Sequence, residues 1–270
     1  MPEIAVRLFV LIRGRSSRVK RALISDIHSN LEAFEAVLAD IRAQGITEIY
    51  CLGDIIGYGP NPREMIRHAF NWSFSLRGNH EDALLFLALD FNPEAAQAID
   101  WTRNQLNDVS AAKEENHRMW NYLGDLPDIR EDDGVTYLHA SPRNRTKEYV
   151  RPHDVQDKEK MEEIFSMIKH ACFCGHTHEP GVFTEDFKFY PPRAFANKVK
   201  LSDGRKYYVN IGSVGQPRDR DTRSCYVIWD AESQVVEFRR VEYDYRKTMD
   251  KIFALKQIPR RFGERLEVGR

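Results

Sequence analysis

An α/β fold is what this sequence predicts, on two observations. After about residue 20, short apolar runs alternate with segments whose apolar residues recur at helical spacing, and the runs end in Gly, Asp, Asn or His. Ala22-Leu23-Ile24-Ser25 reads as a buried strand. Asn30 then opens a helix to Ala43, with Leu31, Phe34, Val37, Leu38 and Ile41 on one face and Gly45 closing it. A second strand covers 48–52, Pro62 starts a helix at its first turn, and a third strand covers 72–76. Residues 80–122 read as mostly helical, broken at Asn92-Pro93. Further strands are expected at 135–138 and 170–174, separated by a charged helix over 153–168. From Gly181 onward strands dominate. Asp203-Gly204 predicts a hairpin between 198–201 and 206–209, and 226–229 pairs with 235–238 in another. Residues 243–257 read as a helix, and the last dozen are charged. With no repeat, low-complexity segment or linker, one main domain is expected over 21–245, after an extension at 1–20 and before a helical tail, packed or trailing, at 246–270.

The chain has 270 residues, enough to bury a substantial core, and its 42% hydrophobic content fits a globular protein rather than a disordered one. Forty Lys and Arg against 41 Asp and Glu leave a net charge of -1, so no whole-molecule field grips nucleic acid or an anionic membrane. No apolar run approaches the roughly 18 residues of a membrane span. Cys51, Cys172, Cys174 and Cys225 all lie in apolar, strand-like surroundings, and Cys172-Phe173-Cys174 lacks the two-residue spacer of common zinc or redox motifs. Core thiols in a reducing compartment are expected. The apolar stretch at 4–12 carries Arg7 and runs into Arg13-Gly14-Arg15-Ser16-Ser17-Arg18 without a small-residue cleavage site, a poor secretory signal. The cytoplasm is the expected location.

The chemistry concentrates where strands end, the place where α/β folds put their working residues. Five clusters follow predicted strands: Asp26-Ile27-His28, Gly53-Asp54, Gly78-Asn79-His80-Glu81, His139-Ala140-Ser141 and Gly175-His176-Thr177-His178. In extended backbone, Asp26 and His28 would project from the same face, and His176 and His178 repeat the spacing. Gly53 lets the backbone approach closely ahead of Asp54, and Asn79 offers a neutral amide oxygen. Mixed nitrogen and oxygen donors without sulfur favour manganese, iron or zinc over a structural thiolate site, and there are more donors than one ion needs. Two metals are implied. Each cluster alone is weak evidence, since a lone Gly-Asp is usually a turn. His68, His117, His153 and His170 sit in ordinary helix or strand contexts and read as non-catalytic. Five clusters in order are another matter.

The series Asp-x-His, Gly-Asp, Gly-Asn-His-Glu, His-Ala-Ser, Gly-His-Thr-His resembles the calcineurin-like metallophosphoesterase superfamily. Residues 53–62 and 212–219 look like its small prokaryotic phosphodiesterase branch, and the similarity runs from about Ala22 to Tyr243. The resemblance implies a four-layer αββα sandwich carrying two divalent metal ions at the strand ends. By matching motif, it implies that Asp26, His28 and His178 hold one metal and Asn79, His139 and His176 the other. Asp54 would bridge both, and His80 would stand beside the phosphate as acid toward the leaving group. Two cations roughly 3.5–4 Å apart can share an activated hydroxide and clamp an in-line displacement.

Departures from the family narrow the expectation. Its protein Ser/Thr phosphatases read Gly-Asp-x-x-Asp-Arg-Gly at the second cluster, whereas here Gly57-Tyr58-Gly59 replaces Asp-Arg-Gly. The acidic partner of their catalytic His and their phosphate-binding Arg are thus missing. Ser29 stands where many relatives carry Gly. Arg143 and Arg218 are candidate phosphate contacts, with a surface salt bridge the plain alternative for each. Gly212-Ser213-Val214-Gly215 is expected to shape the pocket wall. Residues 1–20 fall outside the resemblance, which implies a native start at Val19; an intact mass beginning near Met1 would refute that.

The expectation is a two-metal hydrolase of a small phosphoester or nucleotide, a phosphodiesterase or phosphatase. Rivals are a dinucleoside polyphosphate hydrolase, a Ser/Thr phosphatase, and a non-enzymatic metal-bound protein that binds phosphorylated partners. Neither membrane nor nucleic acid is an expected partner. In the helical insert, Phe86, Trp101 and Trp120 could stack on a base, although aromatics at helical spacing more often form core.

Overall fold

The computed structural model of the chain describes residues 20–132 and 134–270, so the expectations for 1–19 lie outside the described residues. The chain begins β1 (Lys20–Ile24), α1 (Leu31–Ala43), β2 (Glu48–Cys51), α2 (Pro62–Ala69) and β3 (Phe74–Ser75). Three helices follow, α3 (Asn79–Leu85), α4 (Pro93–Leu106) and α5 (Lys113–Gly124). Next come β4 (Ile129–Asp132), β5 (Val135–Leu138), α6 (Lys158–Ser166), β6 (Ala171–Cys174), β7 (Gly181–Thr184) and β8 (Lys188–Tyr190). The chain ends in β9 (Lys198–Lys200), β10 (Tyr207–Asn210), β11 (Ser224–Asp230), β12 (Val235–Val241), α7 (Tyr245–Ala254) and α8 (Arg261–Val268).

Two six-stranded mixed sheets result, in the orders β3-β2-β1-β11-β12-β9 and β4-β5-β6-β10-β7-β8. Their central strands are apolar on both faces because both faces are covered. In β11, Tyr226 and Ile228 face the helical layer of α1 to α5, while Cys225, Val227 and Trp229 enter the seam between the sheets. In β6, Ala171 and Phe173 join that seam, while Cys172 and Cys174 turn outward to Met161, Ile164 and Phe165 of α6. The layers are therefore helix, sheet, sheet, helix. All four cysteines are free and buried. Among the described residues, no helix is long and apolar enough to cross a membrane.

One hairpin expectation fails. The Asp203-Gly204 turn forms, with Gly204 at φ +75, but it carries the chain between sheets: β9 pairs with β12 and β10 lies between β6 and β7. Burial explains this. β10 is buried at every residue and needs neighbours on both edges, whereas β9 exposes Lys198 and Lys200 and suits an edge. The β11–β12 hairpin forms as expected. The helix expected over 153–168 is instead a 3-10 turn (Pro152–Gln156) followed by α6, which Asp157 caps. The charged last dozen residues hide a helix, because Phe262 and Leu266 of α8 form one buried stripe against α4 and α7.

Candidate metal centre

The loops after β1, β2, β5 and β6 and the start of α3 meet at one point. Asp26 Oδ1 lies 3.2 Å from His178 Nε2, which lies 3.2 Å from His28 Nε2. Alongside, His139 Nε2 lies 3.1 Å from both Asn79 Oδ1 and His176 Nδ1. Asp54 Oδ2 joins the two groups, 3.7 Å from His28 Nε2 and 3.4 Å from His139 Nε2. The sets Asp26, His28, His178 and Asp54, His139, His176 each fall within reach of a single ion.

Local backbone, not strand alternation, produces this convergence. Asp26, His28, Asp54, His176 and His178 all have φ between +50 and +67, so the extended-strand rationale for the paired spacings does not hold. Each chain leaves its strand and coils sharply, with Ile27 and His28 N–H both donating to the Asp54 carbonyl at 2.8 and 3.0 Å. Ser29 shares this left-handed conformation at φ 56, where glycine is free and other residues are strained by about 1–2 kcal/mol. Gly53, at φ +101, permits the close approach expected of it: a Cβ there would lie 2.7 Å from the Gly78 nitrogen.

The four converging histidines are oriented as metal ligands. His28 Nδ1 donates to the Ile56 carbonyl at 3.2 Å, His139 Nδ1 to Leu52 at 2.9 Å, His178 Nδ1 to Gln216 at 2.5 Å and His176 Nε2 to Lys147 at 3.1 Å. Each tie fixes one ring N–H outward and turns the other nitrogen toward the centre. So many inward-facing nitrogen and carboxylate donors need protons or cations between them. The nitrogen and oxygen donors are positioned for divalent metal ions.

Burial and neighbouring charge shape the protonation of the centre. Burial opposes the charge of Asp54, yet His139 and His80 hold its carboxyl well below the usual range. Burial likewise opposes a charged His139, but Asp54 raises it to about 9. Burial and the neighbouring His139 push His176 down to about 3. His80 differs from the ligands. Its Nε2 stands 3.9 Å from Asp54 Oδ2, and its Nδ1 is buried without a hydrogen-bond partner. Burial lowers it to about 4, so it is neutral at pH 7 in the free protein.

Of the two candidate arginines, one faces the centre. Arg218 donates from its backbone to the His178 carbonyl at 3.3 Å and from Nη2 to Gln216 Oε1 at 2.9 Å; its Nε is buried and unpartnered. Arg143 is instead held by Glu148 at 3.0 Å and Glu163 at 2.7 Å, the salt-bridge alternative. The 212–215 turn braces the first ligand loop, with Ser213 Oγ and Gly215 N both bonded to the Asp26 carbonyl at 2.8 and 3.0 Å. His117 and His153 are exposed, His68 packs on Phe34, and His170 bonds Arg205 and Gln234.

Two contributors were given no role by the sequence. Glu81 is fully buried, and its carboxylate accepts the backbone N–H groups of Asp54 (2.9 Å), Ile55 (2.9 Å), Ile56 (3.2 Å) and Gly78 (2.8 Å). It thereby locks the Asp54 backbone to the start of α3. Tyr58 packs edge-on against His80 at 4.4 Å between ring centroids and is backed by Phe262 at 4.5 Å, so α8 supports the site from behind. Only the spacing of Glu81 from Gly78 hints at the first role.

Comparison with known proteins agrees with this geometry. The calcineurin-like phosphoesterase superfamily domain matches residues 19–234. A protein of Methanocaldococcus jannaschii is 39% identical over 257 residues, which cover 92% of this chain and 98% of that one. A metallophosphoesterase from Sphaerobacter thermophilus superposes with a TM-score of 0.78 at 34% identity, covering 94% of this chain and 100% of that one. A hypothetical protein from Pyrococcus horikoshii OT3 gives a TM-score of 0.72 at 22% identity over 93% and 99% of the two chains, a likeness of fold.

Proposed function

The chain belongs to the calcineurin-like phosphoesterase superfamily, and on that premise we propose that it is a two-metal hydrolase of small-molecule or nucleotide phosphoesters, a phosphodiesterase or phosphatase. The observation that carries this reading is the single oxygen of Asp54 placed between two sets of histidine and carboxylate donors. Two divalent cations there would lower the pKa of a shared water and polarise the phosphoryl oxygens. Asp54 would offset part of their mutual repulsion. Asp26, His28 and His178 would hold one ion, and Asn79, His139 and His176 the other.

His80 would face the leaving oxygen. A neutral imidazole cannot donate as imidazolium, but a phosphate anion arriving beside it favours the charged form, which couples its protonation to substrate binding. The Ser/Thr phosphatase alternative loses support at this residue. Gly57 occupies the position of their acidic partner, and a Cβ on it would lie 2.1 Å from His80 Nδ1. The imidazole therefore has no carboxylate behind it. Arg218, beside His178, would meet a non-bridging phosphoryl oxygen.

The test is hydrolysis of bis-p-nitrophenyl phosphate against p-nitrophenyl phosphate with added Mn²⁺, using Asp54→Ala as control. Diester turnover that disappears in the folded variant supports the reading. Monoester turnover alone turns it to a phosphatase, and a near-native rate in Asp54→Ala refutes the two-metal mechanism.

A further inference from the structure

A cleft of about 440 Å³ opens directly beside the metal centre, within the size range of small-molecule sites. Its inner end is formed by Asn79 and His176, both candidate ligands. Its floor includes Tyr58 and Phe91, whose rings touch His80 at centroid distances of 4.4 and 4.9 Å. A phosphoester seated between the two donor sets, with its leaving oxygen toward His80, therefore has this cleft as the space for its leaving alcohol.

The outer walls show what that alcohol carries. Phe86 is 66% exposed, an unusual state for a phenylalanine, and it lines the cleft. Tyr149, on the same lining, lies against the His176 ring at 4.1 Å and is itself 42% exposed. Two exposed aromatic side chains thus line one cleft. Lys147 and Asp90 pair at 2.7 Å on its rim and supply a donor and an acceptor. Lys147 also accepts from His176 through its carbonyl, which ties the rim to the metal centre. An alkyl chain would waste the polar rim, and an unadorned sugar would leave the aromatic faces wet. A planar heterocycle with polar edges satisfies both.

We infer that this cleft is a base-binding subsite and that the substrate is a nucleoside phosphoester whose nucleobase stacks on Phe86 and Tyr149. The inference rests on the hydrolase reading above and narrows its substrate class. Of the aromatics expected to stack, only Phe86 lines the cleft; Trp101 is buried against α7 and α8, and Trp120 bonds Asn107.

The test compares adenosine 5′-phosphate with ribose 5-phosphate, and the methyl diesters of each, because each pair differs only in the base. Stacking on an aromatic ring contributes roughly a factor of ten per base. The Mn²⁺-loaded protein should therefore favour the adenosine ester in kcat/KM by about tenfold or more. Phe86→Ala and Tyr149→Ala should each collapse that ratio toward one. A wild-type ratio near one, or a ratio that survives both substitutions, overturns the subsite. Calorimetric titration with adenosine 5′-phosphate and ribose 5-phosphate reads the same preference as affinity, whether or not either is turned over. Preferential binding with no metal-dependent turnover of any ester would sink the hydrolase reading and keep the subsite. Turnover of bis-p-nitrophenyl phosphate without base preference would do the reverse.

Discussion

Replacing Glu81 with glutamine isolates the contact that positions Asp54. The wild-type carboxylate accepts Ile55 and Ile56 N–H on Oε1 and Asp54 and Gly78 N–H on Oε2. Glutamine keeps an oxygen for one pair and turns an NH₂ toward the other, so two buried donors lose their acceptor. Each such loss costs about 1–3 kcal/mol, or about 2–6 kcal/mol together. One term opposes it. Burial, with the Asp54 charge close by, raises Glu81 to about 7 from an ordinary 4.5, so removing the charge returns up to roughly 3 kcal/mol to the metal-free protein above pH 7. With the full relief, the metal-free Glu81→Gln protein should therefore lie between about 1 kcal/mol more stable and about 3 kcal/mol less stable than wild type in urea unfolding at pH 8. Metal binding should suffer more. Cations beside Asp54 cancel the repulsion that the substitution relieves, while the loosened Asp54 and Gly78 backbone remains. Losing such an outer contact typically weakens metal affinity about 10–100-fold. Titration of Mn²⁺ into both proteins should show that drop, with activity partly restored by excess metal. Native affinity and native kcat in Glu81→Gln would refute the locking role outright. Glu81→Ala is a poorer probe, since four stripped donors approach the entire stability of a domain.

Three further outcomes follow from particular contacts. His80→Ala should lower kcat by about 10²–10⁴-fold with metal content kept, and by less for good leaving groups; an equal loss across leaving groups would show that His80 is not the acid. Gly57→Ala places a Cβ 2.1 Å from His80 Nδ1 at a backbone φ of +93, so it should displace the imidazole and cost about 100-fold in rate at unchanged metal stoichiometry; a rate within twofold of wild type would mean the loop absorbs the methyl group. Glu32 joins α1 to α7 through Lys251 at 2.6 Å and Thr248 at 3.0 Å, bonds that overcome burial and depress its carboxyl below the ordinary 4.5. A depressed carboxyl stabilises the fold above its unfolded value and loses that contribution as pH falls through the folded one. Lys251→Met should therefore cost about 1 kcal/mol near pH 7 and progressively less below pH 4.5, measured by urea midpoints; a pH-independent cost would point to lost packing.

The sequence showed the order of the fold well where both faces of an element are committed. β6, residues 22–24 of β1 and residues 225–229 of β11 read as unbroken apolar runs because each feeds two cores. Short or edge elements were faint. β3 spans only Phe74–Ser75, and β4, half-exposed at Ile129 and Arg130, is held by its pairing with β5 rather than by its own pattern. The failed hairpin has the same cause. A turn at Asp203-Gly204 specifies a reversal of the chain, but the sheet that each arm joins depends on which arm can tolerate an exposed edge. Local chemistry sets the turn, and burial sets the partner.

At the centre, the donors were legible and their support was not. All seven candidate ligands converge, since strand ends in an α/β sandwich collect whatever the loops carry. The expected reason for the pairs Asp26/His28 and His176/His178, alternation along extended backbone, is wrong: all four sit in left-handed backbone, and Asp54 with them. At about 1–2 kcal/mol each, that strain rivals the net stability of an ordinary domain. It persists because other contacts over-determine it: the Asp26 carboxylate caps the His176 N–H at 3.0 Å, Glu81 gathers four amides, and the 212–215 turn is bonded to the Asp26 carbonyl. Glu81 escapes a reading by residue type because a glutamate beside a histidine resembles one more ligand. Its oxygens are already filled by backbone N–H groups, and that occupancy is what separates a residue that builds the cage from one that holds the ion.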